Sequence, residues 1–192
     1  IAISCGSHSS MALSASGLVY AFGFNIDGQL GDSTFTTRLL PILTKRGVYS
    51  GTSYLGDDPN NPIVSISSGN SHSLAIAADG MVYGFGSNVY GQLGDNSTTN
   101  RNTPVLTRKG NYNGITYLGD DIANPILKTK ASNYHSICLA KDGTIYSFGY
   151  NGYGQLGDGT TTDRSIPVRS LKGNYTGTTY IGDNSNNPIV DI

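Results

Sequence analysis

Short apolar runs along the chain alternate with clusters of Gly, Asn, Asp, Ser and Pro, and none has helical spacing. The stretch 63–125 shows the pattern clearly, since β-branched and aromatic residues gather in four short segments. Strands are predicted over residues 63–66, 73–77, 81–85 and 104–107. Asp79-Gly80 is typical of a tight hairpin turn between the second and third strands. Pro104 favours an edge position for the fourth, because proline cannot donate to a β ladder.

The whole pattern returns with a period of 63 residues, without insertion or deletion. The run Gly-Gln-Leu-Gly-Asp marks the register at 28–32, 91–95 and 154–158. We therefore divide the chain into repeats over residues 1–62, 63–125 and 126–192. A fixed period of this size indicates a propeller, solenoid or array. Residues 1–3 have the same phase as 190–192, so we expect the chain to be a window of a longer array.

The glycines of the recurring run are predicted to be structural. The run lacks the spacing and the lysine of a phosphate-binding loop. Glycine adopts positive φ without steric cost, and a turn between strands often requires it. The glycines so interpreted are Gly28, Gly31, Gly91, Gly94, Gly154 and Gly157.

A longer motif surrounds this run: Asp-Gly-x-Val-Tyr-x-Phe-Gly, then Asn-x-x-Gly-Gln-Leu-Gly-Asp, then Pro, over residues 79–104. Copies of it lie at 17–41 and 143–167. The motif resembles the regulator of chromosome condensation repeat. The resemblance implies an all-β fold of tandem four-stranded antiparallel blades of a β-propeller. Where that family often has Trp, this chain has Phe22, Phe85 and Phe148, which we expect to be buried.

Each period also carries an extra segment, which in the second repeat covers residues 109–121. Its two tyrosines and its glycine predict an additional β-ribbon on every blade. The tyrosine row is either a surface through which copies or partners meet or a ribbon folded back on its own blade. These interaction candidates are Tyr49, Tyr54, Tyr112, Tyr117, Tyr175 and Tyr180.

Composition narrows the classes of partner. Net charge is −1, and the 12 basic residues are scattered among 13 acidic ones, which offers nucleic acid no basic patch. The longest apolar runs are far too short for a membrane span. Low charge with abundant Ser, Thr, Asn, Gly and Tyr suggests an extracellular or cell-surface glycoprotein, with Asn96 and Asn174 as glycosylation candidates.

Candidate catalytic residues are few. His72 and His135 recur in phase, and we interpret them as structural hydrogen-bonding groups on neighbouring strands. A catalytic site draws different side chains to one point, whereas these polar groups recur in every repeat, so we predict no enzyme activity. Cys5 and Cys138 lie at different phases and are interpreted as buried thiols rather than a disulfide framework.

Aspartates in the extra segments offer a weak calcium hypothesis, and no other cofactor is predicted. Calcium prefers carboxylate and carbonyl oxygens, although the spacing matches no known calcium loop. Asx turns that precede the recurring prolines Pro62, Pro125 and Pro188 explain the same residues without an ion. The calcium candidates are Asp57, Asp58, Asp120, Asp121 and Asp183. A separate in-phase pair, Asp95 with Arg101, is predicted to pin the loop that follows the recurring run.

These observations lead to two functional hypotheses. The first is a non-enzymatic scaffold whose blades pack on further repeats of the same chain, on other copies or on other proteins, as a ring or an extracellular fibre. The second comes from the resemblance: family members include an exchange factor, which implies a regulatory propeller that binds a small GTPase. Fold alone does not separate them.

Overall fold

The computed structural model describes residues 2–192, which form twelve strands and no helix. The strands make three four-stranded antiparallel sheets, each in sequential order, and one sheet falls in each repeat. Blade 1 contains β1 (Ala2–Cys5), β2 (Ser9–Leu13), β3 (Val19–Gly23) and β4 (Arg38–Leu43). Blade 2 contains β5 (Ile63–Ser68), β6 (His72–Ala77), β7 (Val82–Gly86) and β8 (Arg101–Leu106). Blade 3 contains β9 (Ile126–Ala131), β10 (His135–Ala140), β11 (Ile145–Gly149) and β12 (Arg164–Arg169).

The predicted fold class is confirmed: the protein is all-β, with four-stranded antiparallel blades. The hairpin between β6 and β7 turns at Gly80, whose φ is +91°. Asp79 supports the turn by accepting the amide of Met81 at 2.9 Å. Pro104 lies in β8, which is an outer strand paired only with β7 in its sheet. The edge position predicted for this proline is thus confirmed.

Strand register sorts the loops onto two faces of the molecule. His72 at the start of β6 pairs with Gly86 at the end of β7, so the segments that precede and follow them emerge together. We name this end the loop face; it comprises residues 6–8, 24–37, 69–71, 87–100, 132–134 and 150–163. The opposite end carries the β-hairpins and the extra segments, and we name it the insert face.

The hydrophobic core lies between neighbouring sheets. Met11, Leu30 and Tyr49 of repeat 1 share one buried cluster with Tyr83 and Phe85 of repeat 2. A second cluster joins repeats 2 and 3 in the same way. Each blade therefore completes the core of its neighbour, as expected of repeat units that cannot bury an apolar face alone.

Hydrogen bonds join the blades at equivalent positions. Ser73 Oγ donates to the carbonyl oxygen of Gln29 at 2.9 Å, and Ser136 Oγ donates to that of Gln92 at 2.7 Å. In both cases a hydroxyl on the second strand of one blade meets the recurring Gly-Gln-Leu-Gly-Asp run of the preceding blade. The run is thus an element of the contact between blades as well as a turn.

The extra segments form less β structure than the predicted ribbon. Each copy contains one isolated antiparallel bridge, such as Lys45 with Tyr54, and is otherwise made of turns. The segment of repeat 1 also reaches blade 2: Val48 donates its amide to the carbonyl oxygen of Pro104 at 3.2 Å. Asn111 of repeat 2 makes the equivalent bond to Pro167 at 3.1 Å. Each of these two segments is therefore a strap onto the outer strand of the next blade.

Candidate interaction site

Buried asparagines organise the long loops of the loop face. Asn88 Nδ2 donates to Asp95 Oδ1 and to the carbonyl oxygen of Ser97, both at 3.0 Å. Asn88 Oδ1 accepts the amide of Leu93 at 2.9 Å. Asn25 and Asn151 make the equivalent contacts in the other repeats. Because one side chain satisfies several backbone groups, these loops present their remaining side chains from a fixed backbone.

The predicted aspartate–arginine pairs are confirmed in all three repeats. Arg101 Nε donates to Asp95 Oδ2 at 2.8 Å. Burial alone would raise the pKa of Asp95, but hydrogen bonds from Ser97 and Arg101 outweigh it and hold that pKa below its ordinary value. The carboxylates of the three pairs therefore stabilise the loops in which they lie.

The six glycines of the recurring run have the positive φ predicted for them, between +65° and +87°. Two of them also permit close approach between blades. A Cβ on Gly28 would lie 2.7 Å from Cα of Asn102, and one on Gly91 would lie 2.5 Å from Cα of Ser165. Each of these glycines therefore sits directly on the outer strand of the following blade.

The histidines differ in their surroundings. His72 is buried, and its Nε2 lies 3.0 Å from Ser136 Oγ in the next blade. Burial, with a smaller contribution from the nearby His135, lowers the pKa of His72 to about 3. His135 is half-buried, and burial lowers its pKa as well. Both imidazoles are therefore neutral at physiological pH. His72 hydrogen-bonds Ser136 and so joins blade 2 to blade 3.

A group of tyrosines crosses the junction of repeats 2 and 3 on the loop face. The rings of Tyr90 and Tyr150 are 5.0 Å apart, those of Tyr90 and Tyr134 are 5.4 Å apart, and those of Tyr134 and Tyr150 are 6.4 Å apart. Tyr153 joins them at 6.0 Å from Tyr150. Tilted and edge-to-face pairs at these separations attract one another. We call Tyr90, Tyr134, Tyr150 and Tyr153 the tyrosine cluster.

The tyrosine cluster borders a cleft of about 400 Å³. Ser132, Asn133, His135 and Gln155 complete its lining, so the residues that form it include no carboxylate, lysine or arginine. Tyr134 is 41% exposed and Tyr153 is 88% exposed. Exposed aromatic rings beside uncharged polar groups are suited to binding a partner, because such rings bury large areas at low entropic cost.

The tyrosine cluster recurs only in part: Tyr90 and Tyr153 occupy the same phase of repeats 2 and 3, and Tyr150 has the phase of Phe24. Tyr134 has the phase of Ser71, Tyr150 has that of Ser87, and Tyr90 has that of Asp27. The cluster was not predicted from the sequence, because Tyr134 and Tyr150 are not among the positions that recur in all three repeats. A list of loop positions that differ between repeats would have included these residues, although the pairing of Tyr90 with tyrosines 44 and 60 positions away needs the fold.

The predicted interaction tyrosines of the inserts lie elsewhere. Tyr49 and Tyr112 are buried, and each packs edge-on against a tyrosine of the next blade, Tyr83 at 5.6 Å and Tyr146 at 5.4 Å. Their contact is thus with the neighbouring repeat. Tyr175 is half-buried. The second tyrosines, which are also half-buried, lie under cationic side chains; they are Tyr54, Tyr117 and Tyr180.

The calcium candidates are engaged by the inserts themselves. Asp57 accepts the amides of Thr52, Ser53 and Tyr54 at 2.8–2.9 Å. Asp120 and Asp183 do the same in their repeats. The other two candidates form the predicted Asx turns, in which Asp58 accepts the amide of Asn60 and Asp121 that of Ala123. Within residues 2–192, no group of three or more His, Cys, Asp or Glu side chains is arranged to hold a metal ion.

The remaining predicted residues are dispersed. Asn96 and Asn174 are exposed in loops. Cys138 is buried as expected, and burial raises the pKa of its thiol to about 12, whereas Cys5 is exposed, so a buried thiol was the wrong prediction there. Position 5 lies in the first strand of blade 1, on a surface of that strand that the described residues leave open. A search of residues 2–192 for a helix with the length and hydropathy to cross a membrane finds none.

Comparison with known proteins bears directly on this architecture. A sequence profile described as the regulator of chromosome condensation (RCC1) repeat matches residues 16–76, 79–139 and 142–191. A second profile of the same description matches 1–29, 63–92 and 126–155. The chain belongs to the RCC1 repeat family. The resemblance seen in the sequence motif is thus confirmed.

Curated relatives of this RCC1-repeat chain are much longer proteins. It is 32% identical over 170 residues to the probable E3 ubiquitin-protein ligase HERC4 of Homo sapiens, covering 87% of this chain and 14% of HERC4. It is 28% identical over 165 residues to the ultraviolet-B receptor UVR8 of Arabidopsis thaliana, covering 86% of this chain and 32% of UVR8. The chain therefore spans only a minor part of the relatives it matches.

A solved structure shows the same fold. Prp20p from Saccharomyces cerevisiae aligns with 88% of this chain and 37% of its own, with a TM-score of 0.64 and 22% sequence identity. That structure was described together with the binding properties of Prp20p to Gsp1p and histones. At this identity the likeness concerns architecture: RCC1-type blades, here in three consecutive copies.

Proposed function

We propose that this chain supplies consecutive blades of a non-enzymatic propeller that binds another protein through its loop face. The observation that carries the proposal is the tyrosine cluster, in which four rings meet across the junction of blades 2 and 3 and two of them, Tyr134 and Tyr153, are exposed. Elsewhere the same contacts recur at each junction of blades, which is the arrangement of a scaffold. Binding sites on repeat proteins commonly lie on loops positioned by such a scaffold.

The charge of the loop face also supports a protein partner. All six lysines of the chain lie outside it. Arg38, Arg101 and Arg164, which border it, are each paired with an aspartate of the same loop. A surface that binds phosphates needs unpaired cations, whereas one that binds protein is enriched in aromatic residues.

Site-specific photo-cross-linking in the full chain tests the proposal. A photoreactive residue at Val89, which is 55% exposed beside Tyr90, should cross-link a partner protein. The same residue at Ile122, which is 92% exposed on the insert face, is the matched control. Partner adducts from Ile122 alone, or from neither position, would overturn the assignment of the loop face.

Regulation of a small GTPase is a second candidate for the same face. The likeness to Prp20p supports the scaffold for it, and the tyrosine cluster supplies a blade-specific feature that the recurring contacts lack. A purified GTPase that raised nucleotide release only in the presence of the full chain would support this function. A partner without nucleotide-binding activity in the Val89 adduct would count against it.

The assembled form is a further part of the proposal. Contacts between blades here are head-to-tail, and such contacts produce a ring when the rotation closes and a fibre when it does not. An extracellular or cell-surface location, with sugar on Asn96 or Asn174, is our hypothesis from composition. Negative-stain electron microscopy of the full chain decides between compact rings, which we expect, and filaments. Mass spectrometry of the chain from its native source checks the glycans.

A further inference from the structure

The cleft beside the tyrosine cluster has the chemistry of a peptide site. Resting on the proposed function, we propose that it binds a proline-rich segment of the partner in an extended, polyproline II conformation. Pro-rich segments dock in aromatic-lined grooves, where flat rings receive the proline faces and nearby donors bond the peptide carbonyls.

The four rings of the tyrosine cluster border the cleft at different orientations. Tyr90 and Tyr134 are inclined at 64°, Tyr134 and Tyr150 at 83°, and Tyr150 and Tyr153 at 80°. Rings set at steep angles to one another line the cleft with both faces and edges rather than with one flat surface. A pyrrolidine ring is compact and apolar, and a polyproline II helix presents one every 3.1 Å along its axis.

Hydrogen-bond donors line the cleft, which suits a ligand without N–H groups. Each tyrosine carries a phenolic hydroxyl, and Asn133 and Gln155 contribute side-chain amides. Gln155 Oε1 accepts the amide of Tyr153 at 3.0 Å, so its Nε2 is the group that remains for a ligand. Proline residues lack an N–H and offer only carbonyl acceptors, and this combination matches the lining.

The cleft lacks the charged side chains that bind acidic, phosphorylated or basic peptides. Acidic and phosphorylated peptides require Arg or Lys, and basic peptides require carboxylates, yet neither type of residue lines the cleft. Asp163, the nearest acid on that loop, accepts the amide of Asn151 at 2.7 Å and is thus used within the loop. The lining therefore suits an uncharged ligand.

A glycine in the loop of repeat 3, Gly152, makes room for the ring of Tyr150. Gly152 has the phase of Val89, and a Cβ on Gly152 would lie 2.6 Å from Cζ of Tyr150. The ring of Tyr150 thus lies over a position where the equivalent residue of repeat 2 has a branched side chain. Glycine at 152 leaves room for this ring, which lies 5.0 Å from that of Tyr90 at an interplanar angle of 57° and completes the cluster.

The chain offers its own control sequence for each tyrosine. Ser71 and Ser87 occupy the phases of Tyr134 and Tyr150 in a blade with the same strands and loops. Tyr134→Ser and Tyr150→Ser therefore install residues that this backbone already carries. Gly152→Val installs the residue of repeat 2 and displaces the ring of Tyr150 without removing any aromatic group. Phe24→Ser, on the loop face of blade 1 and outside the cluster, is the matched control.

Isothermal titration of the full chain with a polyproline peptide of about ten residues tests the inference. We expect saturable binding that weakens about tenfold or more in Tyr134→Ser, Tyr150→Ser and Gly152→Val and is unchanged in Phe24→Ser. A glycine–serine peptide of equal length should give no binding, and a glucose oligomer tests whether the rings stack on sugar instead. Binding of the sugar alone, no binding of polyproline up to millimolar concentration, or equal binding by all variants would overturn the inference. The photo-cross-link from Val89 is measured in parallel: if it persists with a partner segment that lacks proline, the proposed function stands and only the peptide class is wrong.

Discussion

Gly94 of repeat 2 lies directly against the ring of Phe148 in repeat 3. A Cβ on Gly94 would lie 2.9 Å from Cδ2 of Phe148, and the φ of Gly94 is +66°. Gly31 and Phe85 form the same contact between repeats 1 and 2. Phe85 and Phe148 are fully buried. The recurring glycine and the recurring phenylalanine are therefore two halves of one junction, contributed by successive blades.

Gly94→Ala should lower the free energy of unfolding in two ways, through the left-handed backbone at this position and through the close contact with Phe148. The left-handed backbone costs a non-glycine residue about 1–2 kcal/mol, and the overpacked methyl group adds about 1–3 kcal/mol. Gly173→Ala is the matched control, because Gly173 has a φ of +52° but nothing within 4 Å of its would-be Cβ. Chemical denaturation should show a clearly larger loss for Gly94→Ala. Equal losses would mean that the contact with Phe148 carries no energy.

Much of this fold follows from the sequence, because period and alternation report directly on strands. The edge position of Pro104 and the positive φ of Gly94 were predicted from local chemistry alone. The partner of each group was harder to foresee. Tyr49 packs on Tyr83 of the next blade, and that pairing depends on how one sheet lies against another. The tyrosine cluster was missed for the same reason, since Tyr90 and Tyr150 lie 60 positions apart and come together only at the junction of two blades.

Tyr112→Ala should test whether the insert is a strap between blades. The ring of Tyr112 is 2% exposed and lies edge-on to Tyr146 of blade 3, so its removal leaves a cavity at the junction. Loss of a buried aromatic ring typically costs about 3–5 kcal/mol. Tyr175→Ala is the comparison, because Tyr175 is only half-buried and should cost less. Thermal unfolding measures both, and similar shifts in Tm would indicate that the insert stabilises only its own blade.

Asp57→Asn should loosen the insert of repeat 1 locally. Burial alone would raise the pKa of Asp57, but bonds from the amides of Tyr54 and Ser53 and from Thr52 together outweigh it and keep the pKa below its ordinary value. An amide side chain retains one acceptor oxygen and points donors at donors. Hydrogen exchange of the Ser53 and Tyr54 amides should speed up, whereas Asp58→Asn, which copies Asn184 of repeat 3, should have little effect.

Millimolar calcium is a second measurement on the same carboxylate. Because the oxygens of Asp57 already accept backbone amides, calcium at concentrations that fill weak extracellular sites should leave Tm unchanged. A rise in Tm that disappears in Asp57→Asn would instead show a calcium site in the insert. Magnesium at equal ionic strength is the control for nonspecific salt effects.

His72 should make the protein less stable as the pH falls. In the unfolded chain a histidine takes up a proton near pH 6.5, whereas burial keeps His72 neutral in the fold down to a pKa of about 3. The unfolded state therefore binds more protons throughout this interval. Each unit by which the pH falls lowers the free energy of unfolding by up to about 1.4 kcal/mol. His135, whose pKa is also lowered, adds a smaller effect of the same sign, and the aspartates contribute only near and below pH 4.

The variant His72→Gln keeps a donor near Ser136 and removes the titrating group, so its free energy of unfolding should change less between pH 6.5 and 4.5. The control His8→Gln, at an exposed position, should keep the full pH dependence. Denaturation curves at several pH values measure these slopes, and an unaltered slope in His72→Gln would show that His72 is protonated in the folded protein.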